Sequence, residues 1–222
     1  MTVAAPPKQE RSRKAHDHIL STAVDVIHRE GARGFTVQHI ATEARVSVAS
    51  IYRYFVDKEG LLRSTQDATL TAMAANGERR IRAAEPTIES VVTTFVASTG
   101  YELQMRARAV NAFISLGRHD PEMLARAGRS RRERDELFRD ALQPQWDRIA
   151  HDDRDRAVRL AATFAVTPAL QYAHTGANAE VGAEPLRSLY PHISRACIGY
   201  LVAPVDLSDD LPDLYGLNIE DL

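Results

Sequence analysis

Residues 36–58 constrain the fold more than any other segment of this chain, because they predict two short helices joined by a tight turn. In the first half, apolar residues recur at the spacing of one helix face: Val37, Ile40, Ala41 and Ala44. Thr36 and Ser47 stand at the N-caps of the two helices. The second helix then places Ile51 and Phe55 together on its inner side.

The opposite side of the second helix carries Ser50, Tyr52, Arg53 and Tyr54. A merely solvated helix face has no reason to concentrate two tyrosines and an arginine in so short a stretch. A surface helix of this kind fits the major groove of DNA, in which each base pair presents a distinguishable pattern of donors and acceptors. We therefore expect this helix to contact DNA.

The side chains suggest how the contacts are divided. Arg53 can form a bidentate contact to guanine and Gln38 to adenine, so these two are the candidate base readers. Hydroxyl and ammonium groups suit phosphates, which fix register without reading sequence. The phosphate candidates are Thr36, Ser50, Tyr52, Tyr54 and Lys58. Further candidates are Val48 and Ala49 for a thymine methyl group, and Arg11, Arg13 and Lys14 for the backbone or an adjacent minor groove.

Several of these residues also have a structural interpretation. Thr36 and Ser47 are helix caps, although a capping hydroxyl can also donate to a phosphate. Val48 is a packing residue first, and Tyr54 can lie half in the core. Apolar burial explains neither Tyr52 nor Lys58, so DNA contact is the better interpretation of that pair.

The rest of the chain is also helical in pattern, with almost no β-branched alternation and no Asn-Gly or Asp-Gly hairpin turn. The predicted helices cover about 12–30, 57–84, 88–103, 105–117, 121–147, 153–174 and 185–202. Asp120-Pro121 is a clean helix start, and Pro168 predicts a kink or a shorter helix. We expect an all-α protein with a disordered arm (1–10), a DNA-binding head (11–64), a helical body (65–203) and an acidic tail (204–222).

Charge and composition agree with this division. The chain of 222 residues has a net charge of −2, which alone argues against a nucleic-acid partner. Residues 1–64, however, hold ten Lys and Arg against seven Asp and Glu, whereas the remainder holds 18 against 23. A basic head on an acidic body is weak support for a DNA-contacting module.

Other classes of protein find little support. The chain has no apolar run of 18 residues and no secretory signal, so we expect a cytoplasmic protein. Cys197 stands alone, and the segment 151–153, His-Asp-Asp, suits helix capping better than a metal site. No GxSxG, GxxxxGK, GxGxxG or HExxH motif is present, so we predict no enzymatic activity, cofactor or metal.

The first 65 residues resemble the TetR family of bacterial regulators. The resemblance is carried by the helix that ends before Gly31, then by FTVQHIA, VSVASIYRYF and DKEGLL in the same order and spacing. Beyond residue 65 it extends only to length and helical pattern. The family usually has glycine in the turn where this chain has Arg45, and a non-glycine residue in a left-handed conformation costs about 1 kcal/mol.

The resemblance implies a homodimer in which the last two helices pair with their copies in a four-helix interface. Both helices carry a stripe at helical spacing, with small residues in the first that allow close approach. The interface candidates are Val158, Ala162, Ala165, Ala169, Tyr172, Leu186, Leu189, Ile193, Cys197 and Tyr200. The alternative is that both stripes face the core of the single chain.

The resemblance also implies a pocket for a small effector among the central helices. The candidates are the large residues of that region, which can equally be core: Tyr101, Met105, Phe113, Phe138, Trp146 and Phe164. The five arginines from Arg126 to Arg134 form a solvated face or, alternatively, bind an anionic effector.

The resulting hypothesis is a homodimeric repressor that binds a palindromic operator in double-stranded DNA and is released by an effector. The alternatives are an activator or an architectural DNA-binding protein without an effector, and an enzyme with a DNA-binding-like head.

Overall fold

A computed structural model describes residues 8–175 and 186–203, and within these ranges every regular element is a helix. The elements in chain order are α1 (Lys8–Glu30), α2 (Val37–Glu43), α3 (Val48–Phe55), α4 (Lys58–Arg82), α5 (Ile88–Met105), α6 (Ala107–Gly117), α7 (Pro121–Leu142), a 3₁₀ helix (Gln143–Arg148), α8 (Arg154–Thr175) and α9 (Leu186–Val202). None of the helices in the described ranges is long and apolar enough to cross a membrane.

Three boundaries differ from those predicted. α1 begins at Lys8, so the predicted arm is wrong for residues 8–10; residues 1–7 and the acidic tail lie outside the described residues. α7 ends at Leu142, since Pro144 cannot donate the next backbone hydrogen bond, and the chain continues as the 3₁₀ helix. α8 continues through Pro168 to Thr175, so the predicted shortening does not occur.

The head is a small core enclosed by α1, α2, α3 and the start of α4. Its fully buried side chains include Ile19 and Ile27 of α1, Ile40 of α2, Ile51 of α3 and Leu61 of α4. Residues of α6 and α7 complete the same core: Ala109, Ala112, Phe113 and Met123. The predicted boundary at residues 64 and 65 therefore lies inside continuous α4, and the head is packed directly on the body.

The body core lies between α5, α7, α8 and α9. Phe95 and Phe138 stack at its centre, with ring centroids 4.2 Å apart and an interplanar angle of 27°. α5 meets α9 closely at Gly100, where an added Cβ would lie 2.5 Å from the ring of Tyr190. The tight α5–α9 contact therefore depends on the absence of a side chain at position 100.

The predicted dimer stripes largely face this core. Six of their residues are buried in the single chain, at most 2% exposed: Val158, Ala162, Ala165, Ala169, Leu186 and Cys197. These six have no surface left for a partner, so their assignment to an interface is wrong and the core alternative is correct for them. The other four are partly buried and pack against the same core: Tyr172, Leu189, Ile193 and Tyr200.

Candidate nucleic-acid interface

Side-chain caps set the positions at which the helices of the head begin. Thr36 Oγ1 accepts a hydrogen bond from the backbone N–H of His39 at 3.2 Å, and Ser47 Oγ accepts one from Ser50 at 3.1 Å. Both predicted N-caps are thereby confirmed. Because each cap uses only an acceptor site, the hydroxyl of Thr36 keeps its proton for another partner.

The turn between α2 and α3 is a Schellman motif. The N–H of Val46 donates to the carbonyl of Ala41 at 3.0 Å, and the N–H of Arg45 to that of Thr42 at 3.1 Å. Arg45 takes the left-handed position at φ 54°, as the departure from the family's usual glycine predicts. Its side chain is exposed.

α3 is anchored by its inner side and by α1. Ile51 is fully buried and Phe55 is 5% exposed, as expected from the sequence. The imidazole of His16 stacks on Phe55 with ring centroids 4.8 Å apart. His18 Nε2 donates to the carbonyl of Ala44, the C-cap of α2, at 3.0 Å. α1 therefore holds both helices of the motif, and nothing in the sequence signalled these two histidine contacts.

The structure leaves every predicted DNA-contact residue accessible to some degree. Six are exposed: Thr36, Gln38, Ser47, Ala49, Tyr52 and Arg53. Four are half-buried: Val48, Ser50, Tyr54 and Lys58. Val48 and Tyr54 pack against the head core, which agrees with their structural interpretation. Arg11, Arg13 and Lys14 are exposed on the first turns of α1, where Lys14 also pairs with Glu10 at 2.9 Å.

Arg53 and Tyr54 interact with each other on α3. The guanidinium of Arg53 donates to Tyr54 Oη at 3.2 Å and lies 4.9 Å from the centroid of its ring. Hydrogen bonds with Ser12 of α1 and with Arg53 lower the pKa of the Tyr54 phenol. Tyr54 therefore positions Arg53, the candidate base reader, while the other guanidinium nitrogens of Arg53 remain available.

The junction between α3 and α4 is tightly constrained. Val56, which is 82% exposed, has φ 63° and ψ −56°, and the N–H of Asp57 donates to the carbonyl of Phe55 at 2.6 Å. This geometry is a γ-turn that β-branched residues rarely adopt. The chain then enters α4 at Asp57, whose Oδ1 accepts from the N–H of Gly60 at 2.6 Å. An added Cβ at Gly60 would lie 2.3 Å from the carbonyl oxygen of Phe55.

The body contains a second candidate site, an open cleft of about 770 Å³ bounded mainly by α4, α5, α6 and α7. Among the six effector candidates only Phe113 lines it. Phe138 is fully buried and Trp146 packs against the body core. Tyr101, Met105 and Phe164 are exposed outside the cleft. These five candidates therefore do not line the cleft, because side-chain size does not reveal where helices leave space.

Comparison with known proteins identifies similar sequences for the head and similar structures for the whole fold. Residues 19–65 match the family described as bacterial regulatory proteins, tetR family. A tetR-family transcriptional regulator from Streptomyces coelicolor is 13% identical with a TM-score of 0.67, covering 85% of this chain and 80% of that chain. A TetR-family regulator from Mesorhizobium loti is 18% identical with a TM-score of 0.66, covering 86% and 96%.

A fatty acid degradation regulator from Bacillus halodurans has a TM-score of 0.62 at 18% identity, covering 82% of this chain and 97% of that chain. At such identities these likenesses establish the fold. None of the curated proteins searched matches the chain.

An exposed helix-turn-helix head on a helical body defines a DNA-binding transcriptional regulator. Residues 19–65 match the TetR-family model, and the described chain has the fold of TetR-family transcriptional regulators. Members of that family bind DNA, act as dimers and are transcription factors rather than enzymes.

Proposed function

We propose that this protein is a homodimeric repressor that binds a palindromic operator and leaves it when a small effector occupies the body. The observation that carries the proposal is the outer side of α3, where Tyr52 and Arg53 are exposed while Ile51 and Phe55 hold the helix to the head. Two such heads would read half-sites about 34 Å apart, one turn of the DNA helix.

The contact map is tested on DNA selected from a random pool. We expect the selected sequences to contain an inverted repeat. In a gel-shift with the selected operator, Tyr52→Phe combined with Lys58→Ala should weaken binding at least about tenfold, because it removes two phosphate donors. Binding as tight as that of the unmodified protein would contradict the map, and selection of a single non-repeated site would contradict the palindrome.

Because most residues of the predicted dimer stripes are buried, we place the dimer interface on the outer face of α8 and α9 instead. This face consists of Phe164, Thr167, Ala196, Gly199 and Tyr200, all at least partly exposed. Phe164 and Tyr200 meet edge to face with ring centroids 5.5 Å apart, so the two helices present one continuous surface. A Cβ added at Gly199 would meet nothing within 4 Å, which leaves room for a second helix to approach closely.

A charged side chain on that face should prevent dimerisation. We expect Ala196→Arg to convert the protein to a monomer and to lower operator affinity at least about a hundredfold, because a monomer holds only one half-site. Sedimentation measures the mass and a gel-shift the affinity. Ala125→Arg, the same change at an exposed position of α7 outside the cleft, is the matched control and should change neither. A dimeric Ala196→Arg variant would place the interface elsewhere.

The cleft supports the effector part of the proposal. It lies against α4 and α6, and both helices also contribute residues to the head core, so a ligand in the cleft can favour one arrangement of the heads over another. An architectural DNA-binding protein would need no such space, and an opening of about 770 Å³ favours the regulator over that alternative.

A further inference from the structure

The cleft has an apolar lining that is open to solvent. Three large side chains that are exposed in the single chain converge on it, namely Ile114 (49% exposed), Leu124 (57%) and Leu170 (41%). Phe113 and Met123 line it more deeply. Its volume of about 770 Å³ is in the range of sites for small molecules. The body of any ligand that fills it must therefore be largely apolar.

The buried carboxylate in the lining has no capacity left for a ligand. Glu102, which is 3% exposed, accepts hydrogen bonds through Oε1 from Asn76 at 3.2 Å and from Arg80 at 2.9 Å. Its Oε2 accepts from Asn76 at 3.4 Å and from Arg106. A carboxylate offers about four acceptor positions, and all four are occupied. Glu102 does not select a cationic ligand.

The two buried uncharged polar side chains of the lining are also hydrogen-bonded to the backbone. Gln66 Nε2 donates to the carbonyl of Met123 at 3.3 Å, and Ser98 Oγ donates to that of Phe95 at 3.3 Å. The buried polar groups are thus already engaged, which leaves the more exposed residues around the opening as the main partners for the polar group of a ligand.

Most of those charges are paired. Glu78 pairs with Arg82 at 2.7 Å, and Asp140 with Arg139 at 3.2 Å. Two further lining residues are paired in the same way: Glu133 with Arg126 at 3.8 Å and Arg134 with Asp135 at 2.8 Å.

Three charged lining residues have no ion pair within the described part of the chain. They are Arg118, Arg131 and Glu136. Two of the three are guanidinium groups and one is a carboxylate, so the unpaired charge of the lining is positive. Guanidinium groups bind carboxylates and phosphates through charge-assisted hydrogen bonds.

We propose that the cleft binds an amphipathic anion, with its apolar body along Phe113, Ile114 and Leu124 and its carboxylate or phosphate at Arg118 and Arg131. This assignment names the chemical class of the effector and rests on the proposed function of the cleft as the effector site. A cationic ligand is disfavoured because Glu102 is saturated and the unpaired carboxylate of Glu136 is outnumbered by the guanidinium groups of Arg118 and Arg131.

The test compares ligands that share one apolar chain and differ in the head group: decanoate, decyl phosphate, decanol and decylamine. Displacement of the neutral dye Nile red from the full-length protein gives each dissociation constant. We expect decanoate or decyl phosphate to bind about tenfold tighter than decanol and decylamine, and the tighter of the two anions identifies the head group. Salt should weaken the anions and leave decanol unchanged. Decanol or decylamine binding as tightly as both anions would overturn the proposal, as would no displacement by any of the four.

Variants of the opening locate the anion. Arg131→Gln and Arg118→Gln should each weaken binding of the preferred anion about threefold to tenfold and leave decanol unchanged. Arg132→Gln, at the next exposed position of α7 and outside the lining, is the matched control and should behave as the unmodified protein. Equal effects of Arg131→Gln and Arg132→Gln would reject a specific site.

Release of the selected operator is measured separately with the same compounds. One outcome is that the anion binds in a manner that depends on Arg131 and yet does not release DNA. That result would support the anion site and reject the effector role in the proposed function. Release of DNA by decylamine alone rejects the anion and retains an effector site.

Discussion

Gly60→Ala is expected to lower operator affinity at least about tenfold and the free energy of unfolding by about 1–3 kcal/mol, the range of overpacking. The new Cβ would lie 2.3 Å from the carbonyl oxygen of Phe55, and that oxygen is backbone, so it cannot move aside as the end of a flexible side chain would. The last turn of α3 or the first turn of α4 must shift. Since α3 carries the candidate base reader and α4 the phosphate contact of Lys58, either shift disturbs the DNA interface.

Gly77→Ala is the matched control because position 77 lies in the same helix and an added Cβ meets nothing within 4 Å. Alanine is a better helix former than glycine, so this variant should be more stable by about 0.5–1 kcal/mol. Its operator affinity should be unchanged. Thermal or urea unfolding measures stability, and a gel-shift measures affinity. Equal behaviour of the two variants would show that the junction tolerates a methyl group and is not a rigid connection.

The sequence predicted those features of the head that local chemistry determines. Caps at Thr36 and Ser47, the inner side of α3 and the left-handed Arg45 all follow from patterns within a few residues. The γ-turn at Val56 has no such pattern, because valine disfavours positive φ and only the closure of α3 on α4 imposes it. The contacts of His16 and His18 bring together positions far apart in the chain, which periodicity does not reveal.

The body was harder to predict. A stripe that includes Val158, Ala162 and Ala165 indicates a packed helix face without indicating which surface covers it, and here the chain's own core does. A cleft is likewise defined by distances between helices rather than by residue type. Phe138 fills space at the centre of the core, whereas Phe113 borders space, although both are large and aromatic.

Arg53→Ala should lower affinity for the selected operator by about 10- to 100-fold and remove the preference at one base position. A bidentate contact from arginine to guanine contributes about 1–3 kcal/mol of discrimination. In the structure the guanidinium of Arg53 lies over the ring of Tyr54 and donates to its hydroxyl at 3.2 Å. To contact a base it must turn outward or use its exposed nitrogens in the groove. Tyr54→Phe keeps the ring and removes the hydrogen bond, and we expect it to preserve the base preference.

The salt dependence separates base reading from phosphate contact. Arg53→Ala should leave the slope of log affinity against log salt nearly unchanged, whereas Lys58→Ala should reduce it by about 1 and weaken all sequences alike. Repeating the selection with the Arg53→Ala protein then identifies the base that Arg53 reads. If the variant selects the same operator with a reduced salt slope, Arg53 is a phosphate contact, and Gln38 is left as the candidate reader, on a helix whose own position depends on Thr36 and His18.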